Sequence, residues 1–293
     1  MQVPQRLAEA PARQDPATEC VPGAPNARDI IPLVSGTHSA PRWRQVIADA
    51  VLRLRSGIHA RDLRRLAVLY GTDKGTVHDY MGQYQRHFES LRLRKMNILE
   101  IGVGGYANSG IGGASLRMWK AYFPNASIHG IDLHDKRAFE EPRIRIFQGD
   151  QSNPAFLLDT YRKIGSLDIV IDDGSHINHH VVTSFRALFP LLNVPGLYVI
   201  EDTQTSYWRE FGGDANLDNP ATTMNYFKGL ADRINTLEIP RTNYVPDEID
   251  STLVALHFYR NLIFMEKGDN MAPSVKLASI MRKRALAAGQ FVR

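Results

Sequence analysis

Short apolar runs alternate with helical patterns along the second half of the chain. The runs are rich in Val, Ile and Leu, and between them apolar residues recur three and four positions apart. Strands that alternate with helices predict a parallel sheet covered on both faces. We therefore expect an α/β fold with a doubly wound, mostly parallel, seven-stranded sheet. Its strands would be NILEIGV, SIHGIDL, IRIFQGD, LDIVIDD, GLYVIED, LVALHFY and LIFMEKG.

The last two runs differ from the others in their spacing. LVALHFY and LIFMEKG lie too close together for a crossover helix between them, which favours an antiparallel, hairpin-like end to the sheet. LVALHFY taken alone is also compatible with a helix.

The first third of the chain differs from the rest in its composition and in the spacing of its apolar residues. Residues 1–40 are rich in Pro and Ala and poor in large apolar residues, which predicts a flexible tail. Residues 41–94 show helical spacing in WRQVIADAVLRLR, ARDLRRLAVLYG and DYMGQYQRHFESLRL, and we interpret them as a helical cap segment. Residues 95–293 would form the main domain.

Composition excludes several classes of protein. The net charge is +4, and the local basic excess in the helical segment is typical of a solvated surface, so we expect no nucleic-acid partner. Cys20 is the only cysteine, which excludes a disulfide framework and a cysteine zinc site. Neither an apolar run of membrane-spanning length nor a signal core is present, so we expect a cytoplasmic protein without membrane contact.

A glycine-rich loop follows the first strand, in LEIGVGGYANSGIGG. Gly102 opens a weak dinucleotide motif, but NSGIGG separates the glycines from the next helix, and Asp132 is too distant for the ribose acid of an NAD site. A ligand without phosphate fits better. Acids at three strand ends, with a neighbouring glutamine, match the cationic S-adenosylmethionine (SAM) and its ribose and adenine: Glu100, Asp132, Asp150 and Gln151.

Two further strands also end in carboxylates. Asp172 and Asp173 end the fourth strand, and Glu201 and Asp202 end the fifth. Adjacent parallel strands place these carboxylates side by side, where a divalent cation such as Mg²⁺ relieves their repulsion. Successive strand residues point to opposite faces, so we expect only one of Asp172 and Asp173 to bind the metal.

A histidine follows the fourth strand within the motif IDDGSHINHH. His176 near such a metal is a natural general base for a substrate hydroxyl. A zinc site made of His176, His179 and His180 is a weaker alternative, because the latter two look like the start of a helix. A loop histidine that is merely hydrogen-bonded is a third interpretation.

Several motifs, taken together and in order, resemble a known family: YGTDKG, LEIGVGG, GGASLRMWKAYFP, GIDLHDK, IDDGSH and IEDT. The set, from about Leu66 to Asp202, is similar to the metal-dependent sugar O-methyltransferases of actinobacterial antibiotic pathways. These act on macrolides such as mycinamicin and macrocin and on rhamnosylated polyketides. The resemblance implies a class I, Rossmann-like SAM methyltransferase that modifies a glycosylated small molecule.

The resemblance also implies roles for individual residues. His176 would be the base, with Mg²⁺ held by Asp173, Glu201 and Asp202. The SAM site would combine the glycine loop, the acidic strand ends and the residues that close over the methionine end: Tyr70, Thr72, Glu100, Gly102, Ser115, Asp132, Asp150 and Gln151.

The segment at about 203–222 follows the metal-binding strand end directly. It is long and interrupted by glycines, which favours a substrate lid. Tyr207 and Trp208 within it would stack on a sugar or aglycone, or equally anchor the loop in the core. We also expect a homo-oligomer.

Two other functions compete with sugar methylation. One is a SAM- and metal-binding partner protein, like the cephamycin 7-methoxylation protein. The other is a non-enzymatic binding module that uses the basic helices. A module of that kind has no need of a general base, which argues against it.

Overall fold

The computed structural model describes residues 42–239, 244–272, 274, 279–280 and 283. The predicted tail, residues 1–40, lies outside these described residues. The described residues up to 48 and those from 49 onward belong to separate units, and the former are the beginning of a helix. The predicted domain boundary near residue 94 stays a prediction.

The described chain contains eight α-helices. They are α1 (Arg42–Ile58), α2 (Leu63–Tyr70), α3 (Met81–Phe88), α4 (Ala114–Tyr122), α5 (Pro154–Ile164), α6 (Asn178–Leu188), α7 (Thr223–Ile234) and α8 (Glu248–Thr252). In the described ranges, no helix is both long and apolar enough to cross a bilayer.

One seven-stranded sheet forms the centre of the fold. Its strands are β1 (Asn97–Ile101), β2 (Ser127–Asp132), β3 (Ile144–Gln148), β4 (Leu167–Asp172), β5 (Leu192–Glu201), β6 (Leu253–Tyr259) and β7 (Leu262–Lys267). The order is β3-β2-β1-β4-β5-β7-β6, with the first five strands parallel and β7 antiparallel to both neighbours. This confirms the predicted fold class and the antiparallel end, and it resolves LVALHFY as a strand.

Alternation along the strands builds a core on each face of the sheet. In β1, Ile98 packs with helices α2, α3 and α4, whereas its neighbour Leu99 packs with α5, α6 and α7. Both side chains are fully buried. Parallel strands buried on two faces read as continuous apolar runs, which is why the sequence signal was clear.

Strand register brings the acidic ends to one edge of the sheet. Ile101 of β1 pairs with Asp172 of β4, and Asp172 pairs with Ile200 of β5. The carboxyl ends of β1, β4 and β5 therefore lie side by side, where ligands bind in open α/β sheets.

Candidate active site

The two carboxylates that end β4 point in different directions. Asp172 is buried and accepts hydrogen bonds from Ser184 on α6 and from Gln151 Nε2, at 3.1 Å. Burial raises the pKa of Asp172 to about 6. Asp173 points to the opposite side of the sheet, toward Lys74. Asp172 is thus held by other protein groups, and Asp173 is the carboxylate that faces Lys74.

A buried lysine lies among three of the acidic groups. Lys74 Nζ contacts Asp173, Glu201 Oε1 at 2.7 Å and Glu100 Oε1 at 3.2 Å, and the lysine is only 1% exposed. Burial by itself lowers the pKa of Lys74, but the charges of Asp173, Glu201 and Glu100 raise it well above its ordinary value. The ammonium group therefore stays charged and balances part of the acidic cluster.

The turn that carries Lys74 depends on a glycine. Lys74 belongs to a single 3₁₀ turn, Asp73–Gly75, after α2. A Cβ atom on Gly75 would lie 2.4 Å from Ala67 Cβ, so this close approach of the turn to α2 requires glycine.

Glu100 and Ser115, both predicted to bind SAM, are buried and hydrogen-bonded to each other. Ser115 Oγ donates to Glu100 Oε2 at 2.9 Å, and Trp119 Nε1 donates to the same oxygen at 3.1 Å. Burial raises the pKa of Glu100 to about 7, while Lys74 acts in the opposite direction. The structure thus shows both side chains bonded to other protein groups.

Glu201 is buried in the same network. Its Oε1 accepts hydrogen bonds from Lys74 Nζ and from the hydroxyl of Tyr84 on α3. The predicted metal ligand Glu201 is thus held by the side chains of Lys74 and Tyr84.

His176 and Asp202 face each other across the ends of β4 and β5. His176 Nε2 lies 3.5 Å from Asp202 Oδ2, and both residues have left-handed backbones, with φ of 56° and 53°. Such conformations cost roughly 1–3 kcal/mol each in a residue other than glycine and tend to occur at functional sites. The surrounding structure holds both residues in position.

Two residues from the loop before α3 hold Asp202 from the other side. The Tyr80 hydroxyl donates to Asp202 Oδ1 at 2.6 Å, and His78 Nδ1 lies 3.3 Å from the same oxygen. Burial raises the pKa of Asp202, but the Tyr80 hydrogen bond and the nearby His176 and His78 lower it below its ordinary value overall. Asp202 is therefore a carboxylate at neutral pH.

The donor atoms of this cluster fit a divalent cation. One ligand atom each from Asp173, His176 and Asp202 lie within 4.8 Å of one another, and all three side chains are partly exposed. Two carboxylates offer the hard oxygen ligands that Mg²⁺ prefers. Glu201 is not among these three residues, and its Oε1 is held by Lys74 and Tyr84.

The glycine loop packs tightly against the end of β4. Gly102 has a φ of 96°, and a Cβ atom there would lie 2.0 Å from the backbone oxygen of Asp173. Asp132, at the end of β2, accepts hydrogen bonds from Val103 N at 3.0 Å and from His134 N at 2.8 Å. Asp132, the acid predicted to bind the ribose, thus also holds the backbone of the glycine loop in place.

The two residues after β3 differ in their placement. Asp150 is exposed, and its pKa is lowered by the hydrogen bond from the backbone of Ser152. Gln151 is buried and uses its amide to join Asp172 to the backbone nitrogen of Ser175, 2.6 Å from Gln151 Oε1. Gln151 therefore links the loops after β3 and β4.

Tyr70 and Thr72, the two predicted SAM-binding residues that precede the sheet, lie at or just after the end of α2. The Tyr70 hydroxyl lies 2.8 Å from Ser56 Oγ on α1, and Thr72 is buried. The structure therefore places both of them beside the turn that carries Lys74.

The other histidines of HINHH belong to α6. His180 Nδ1 lies 2.9 Å from Ser175 Oγ, and His179 is exposed with its ring against that of His180. Their helical placement follows the sequence-based expectation.

Asn178 anchors the predicted lid segment, residues 203–222. Its Nδ2 donates to the carbonyl oxygens of Thr205 and Phe211, at 3.1 and 2.8 Å, and its Oδ1 accepts from Thr223 N at 2.5 Å. Tyr207 and Trp208 are nearly half exposed on this segment. They are available to a ligand.

Sequence reasoning missed five residues that build the site: Lys74, His78, Tyr80, Tyr84 and Asn178. A lysine or tyrosine in a helical, basic segment is normally solvated, so the local sequence pattern did not mark such residues as part of a site. Charge balance offered a signal for Lys74, because acidic strand ends brought together need a buried cation.

Comparisons with known proteins show what this chain is similar to. No protein-family model matches the chain. The 8-demethyl-8-alpha-L-rhamnosyl tetracenomycin-C 2'-O-methyltransferase of Streptomyces olivaceus is 47% identical over 225 residues, covering 75% of this chain and 59% of that protein. The mycinamicin VI 2''-O-methyltransferase of Micromonospora griseorubida is 48% identical over 217 residues, covering 73% and 54% respectively.

A solved structure supports the same relationship. The MycE methyltransferase from the mycinamycin biosynthetic pathway, in complex with Mg and SAH, matches with a TM-score of 0.71 and 45% identity, covering 75% of this chain and 60% of that one. This chain is a homologue of sugar O-methyltransferases of antibiotic pathways. The predicted resemblance is confirmed. The chain spans a little over half the length of the curated relatives it matches.

Proposed function

We propose that this protein transfers a methyl group from SAM to a sugar hydroxyl of a glycosylated natural product, in a reaction that requires Mg²⁺. The observation that carries the proposal is the cluster of Asp173, His176 and Asp202 at the carboxyl edge of the sheet. The names of its relatives support the same chemistry: they methylate rhamnosyl and macrolide glycosides, and MycE was solved with Mg, SAH and mycinamycin VI.

The metal would be held by Asp173 and Asp202, with Glu201 as a third ligand. Bound there, Mg²⁺ would lower the pKa of the acceptor hydroxyl. The fixed ends of β4 and β5 would then orient that hydroxyl toward the methyl donor.

His176 would remove the proton of the acceptor hydroxyl at Nε2, the atom that faces Asp202. A carboxylate beside the ring stabilises the imidazolium cation that forms. The left-handed backbone of His176 fixes the approach of the ring, and such positioning supplies much of the rate in a two-substrate transfer.

The methyl donor would lie along the glycine loop. The loop and the acidic ends of β1, β2 and β3 supply its SAM-binding residues: Glu100, Gly102, Ser115, Asp132, Asp150 and Gln151, with Tyr70 and Thr72 at the methionine end. Glu100, Ser115 and Gln151 would act largely through the network that shapes the pocket.

The acceptor would bind under the segment 203–222. Tyr207 and Trp208 expose aromatic faces there, and aromatic faces stack on the apolar face of a sugar ring. A homo-oligomeric state and a cytoplasmic location stay predictions.

Methyl transfer to a panel of rhamnosylated and deoxysugar-bearing polyketides tests the proposal. We expect product with Mg²⁺, none with EDTA, and a loss of roughly 10²–10⁴-fold in His176→Ala because a general base is removed. SAH binding serves as the control and should survive the substitution.

Other outcomes point elsewhere. Full activity of His176→Ala would contradict the role of this residue as the base. Tight SAM binding without turnover on any acceptor would favour the partner-protein function.

A further inference from the structure

A second group of metal-ligating side chains lies on the antiparallel edge of the sheet, away from the methyl-transfer site. It comprises His87 on α3, His257 on β6 and Glu266 on β7, and one ligand atom of each lies within 4.8 Å of the other two. In the pairing of β5 with β7, Glu266 lies opposite Leu197 and Leu262 lies opposite Glu201. Leu197 and Glu201 are four residues apart on β5, so the group lies roughly 13 Å along the strand from Glu201.

The donor atoms of this group converge. His257 Nε2 lies 2.8 Å from Glu266 Oε1, and His87 Nδ1 lies 3.9 Å from the same oxygen. Ligand atoms around a tetrahedral zinc ion with bonds of about 2.0–2.2 Å are separated by roughly 3.4 Å. Small side-chain movements would therefore bring the three donors to zinc-binding distances.

The His87 ring is held in place on both sides. It stacks on Phe264, with ring centroids 4.2 Å apart and an interplanar angle of 14°. Its Nε2 lies 3.0 Å from the hydroxyl of Tyr259. A proton on Nε2 that is donated to this hydroxyl leaves the Nδ1 lone pair facing Glu266. Metal-ligating histidines are commonly oriented by a second hydrogen bond of this kind.

We propose that His87, His257 and Glu266 bind a zinc ion that fastens α3 to the β6–β7 edge, with water as its fourth ligand. Two imidazoles and one carboxylate suit zinc, whereas the carboxylate-rich cluster at the ends of β4 and β5 suits magnesium. The zinc site has a consequence for the active site, because α3 also carries Tyr84, the hydrogen-bond donor to Glu201. The inference does not depend on the proposed methyl transfer.

A zinc titration in the presence of excess Mg²⁺ and SAH tests the inference, because these ligands would occupy the proposed methyl-transfer site and leave the second group of side chains open to zinc. We expect the wild-type protein to bind one zinc ion and to gain thermal stability from it. His257→Gln and Glu266→Gln should each lose this binding and the zinc-dependent shift in Tm. Tyr259→Phe should weaken zinc binding by about 10–100-fold, because it removes only the group that orients His87.

Two control variants locate the ion. Asp202→Asn removes a ligand at the methyl-transfer site, and His179→Gln removes an exposed histidine of HINHH; both should retain the zinc ion. Equal zinc binding by the wild type, His257→Gln and Glu266→Gln would overturn the inference, as would a loss of zinc in His179→Gln alone. Glu266 is 41% exposed, so its variant keeps the test valid if the histidine variant fails to fold.

Discussion

At the scale of single residues, the site is organised around one buried cation. Lys74 is shared by Glu100, Asp173 and Glu201, which all approach it within 3.2 Å. A buried charge that loses its partner costs far more than an exposed one, because it has lost its water without gaining a counter-charge. Lys74 is therefore a positioning residue on which three carboxylates depend.

Replacing Lys74 by methionine should destabilise the fold strongly. We expect a loss of about 3–5 kcal/mol in the free energy of unfolding, measured by chemical denaturation. Lys120→Met is the matched control, because the ion pair of Lys120 with Glu141 lies at the surface and contributes about 0–1 kcal/mol. Equal losses in the two variants would contradict the role of Lys74.

His129 on β2 makes stability depend on pH. Burial, reinforced by the charge of Arg145, lowers the pKa of His129 from 6.5 to about 4. The folded state thus holds the neutral ring, and stability from this residue is complete above about pH 6.5 and falls as the pH decreases toward 4.

The variant His129→Gln should lack this dependence. Below pH 6.5 the wild type should lose up to roughly 1.4 kcal/mol per pH unit relative to the variant, and above it their difference should be constant. Unfolding measured by denaturant at several pH values checks this. A difference that does not change between pH 7 and pH 4 would show that His129 titrates normally in the folded state.

At the scale of elements, the sequence predicted what periodicity encodes. The strands, the antiparallel end and the acidic strand ends all follow from apolar patterning, and the separation of Asp172 from Asp173 follows from the alternation along a strand. Lys74, Tyr80 and Asn178 could not be predicted in this way, since their partners are more than 25 residues away in the chain. Only the folded structure brings them together.

The loop after β1 offers a test at this scale. Gly102→Ala should displace the loop, because the new Cβ would meet the Asp173 backbone. We expect the free energy of unfolding to fall by on the order of 3 kcal/mol or more, and SAH to bind more weakly. Gly104→Ala is the control. It has a φ of 85° but meets nothing within 4 Å in the described chain, so it should cost only about 1–2 kcal/mol. Equal effects would show that close packing is unimportant there.

At the scale of the whole molecule, one edge of one sheet gathers the groups that the proposed reaction needs. The carboxyl ends of β1, β4 and β5 bring the glycine loop, the carboxylates and His176 together, and Asn178, at the start of α6, hydrogen-bonds the segment 203–222. The fold class and the homology with sugar O-methyltransferases are confirmed, whereas the individual residue roles stay predictions.

The rate of methyl transfer as Mg²⁺ is added back to metal-stripped protein tests the central claim most directly. The wild type should regain full activity with saturable dependence on Mg²⁺. Asp202→Asn should need far more Mg²⁺ or remain inactive, because it removes a hard oxygen ligand while leaving the SAM loop intact. Activity that persists in the stripped protein, or an unchanged Mg²⁺ dependence in Asp202→Asn, would contradict a metal-assisted reaction at the ends of β4 and β5.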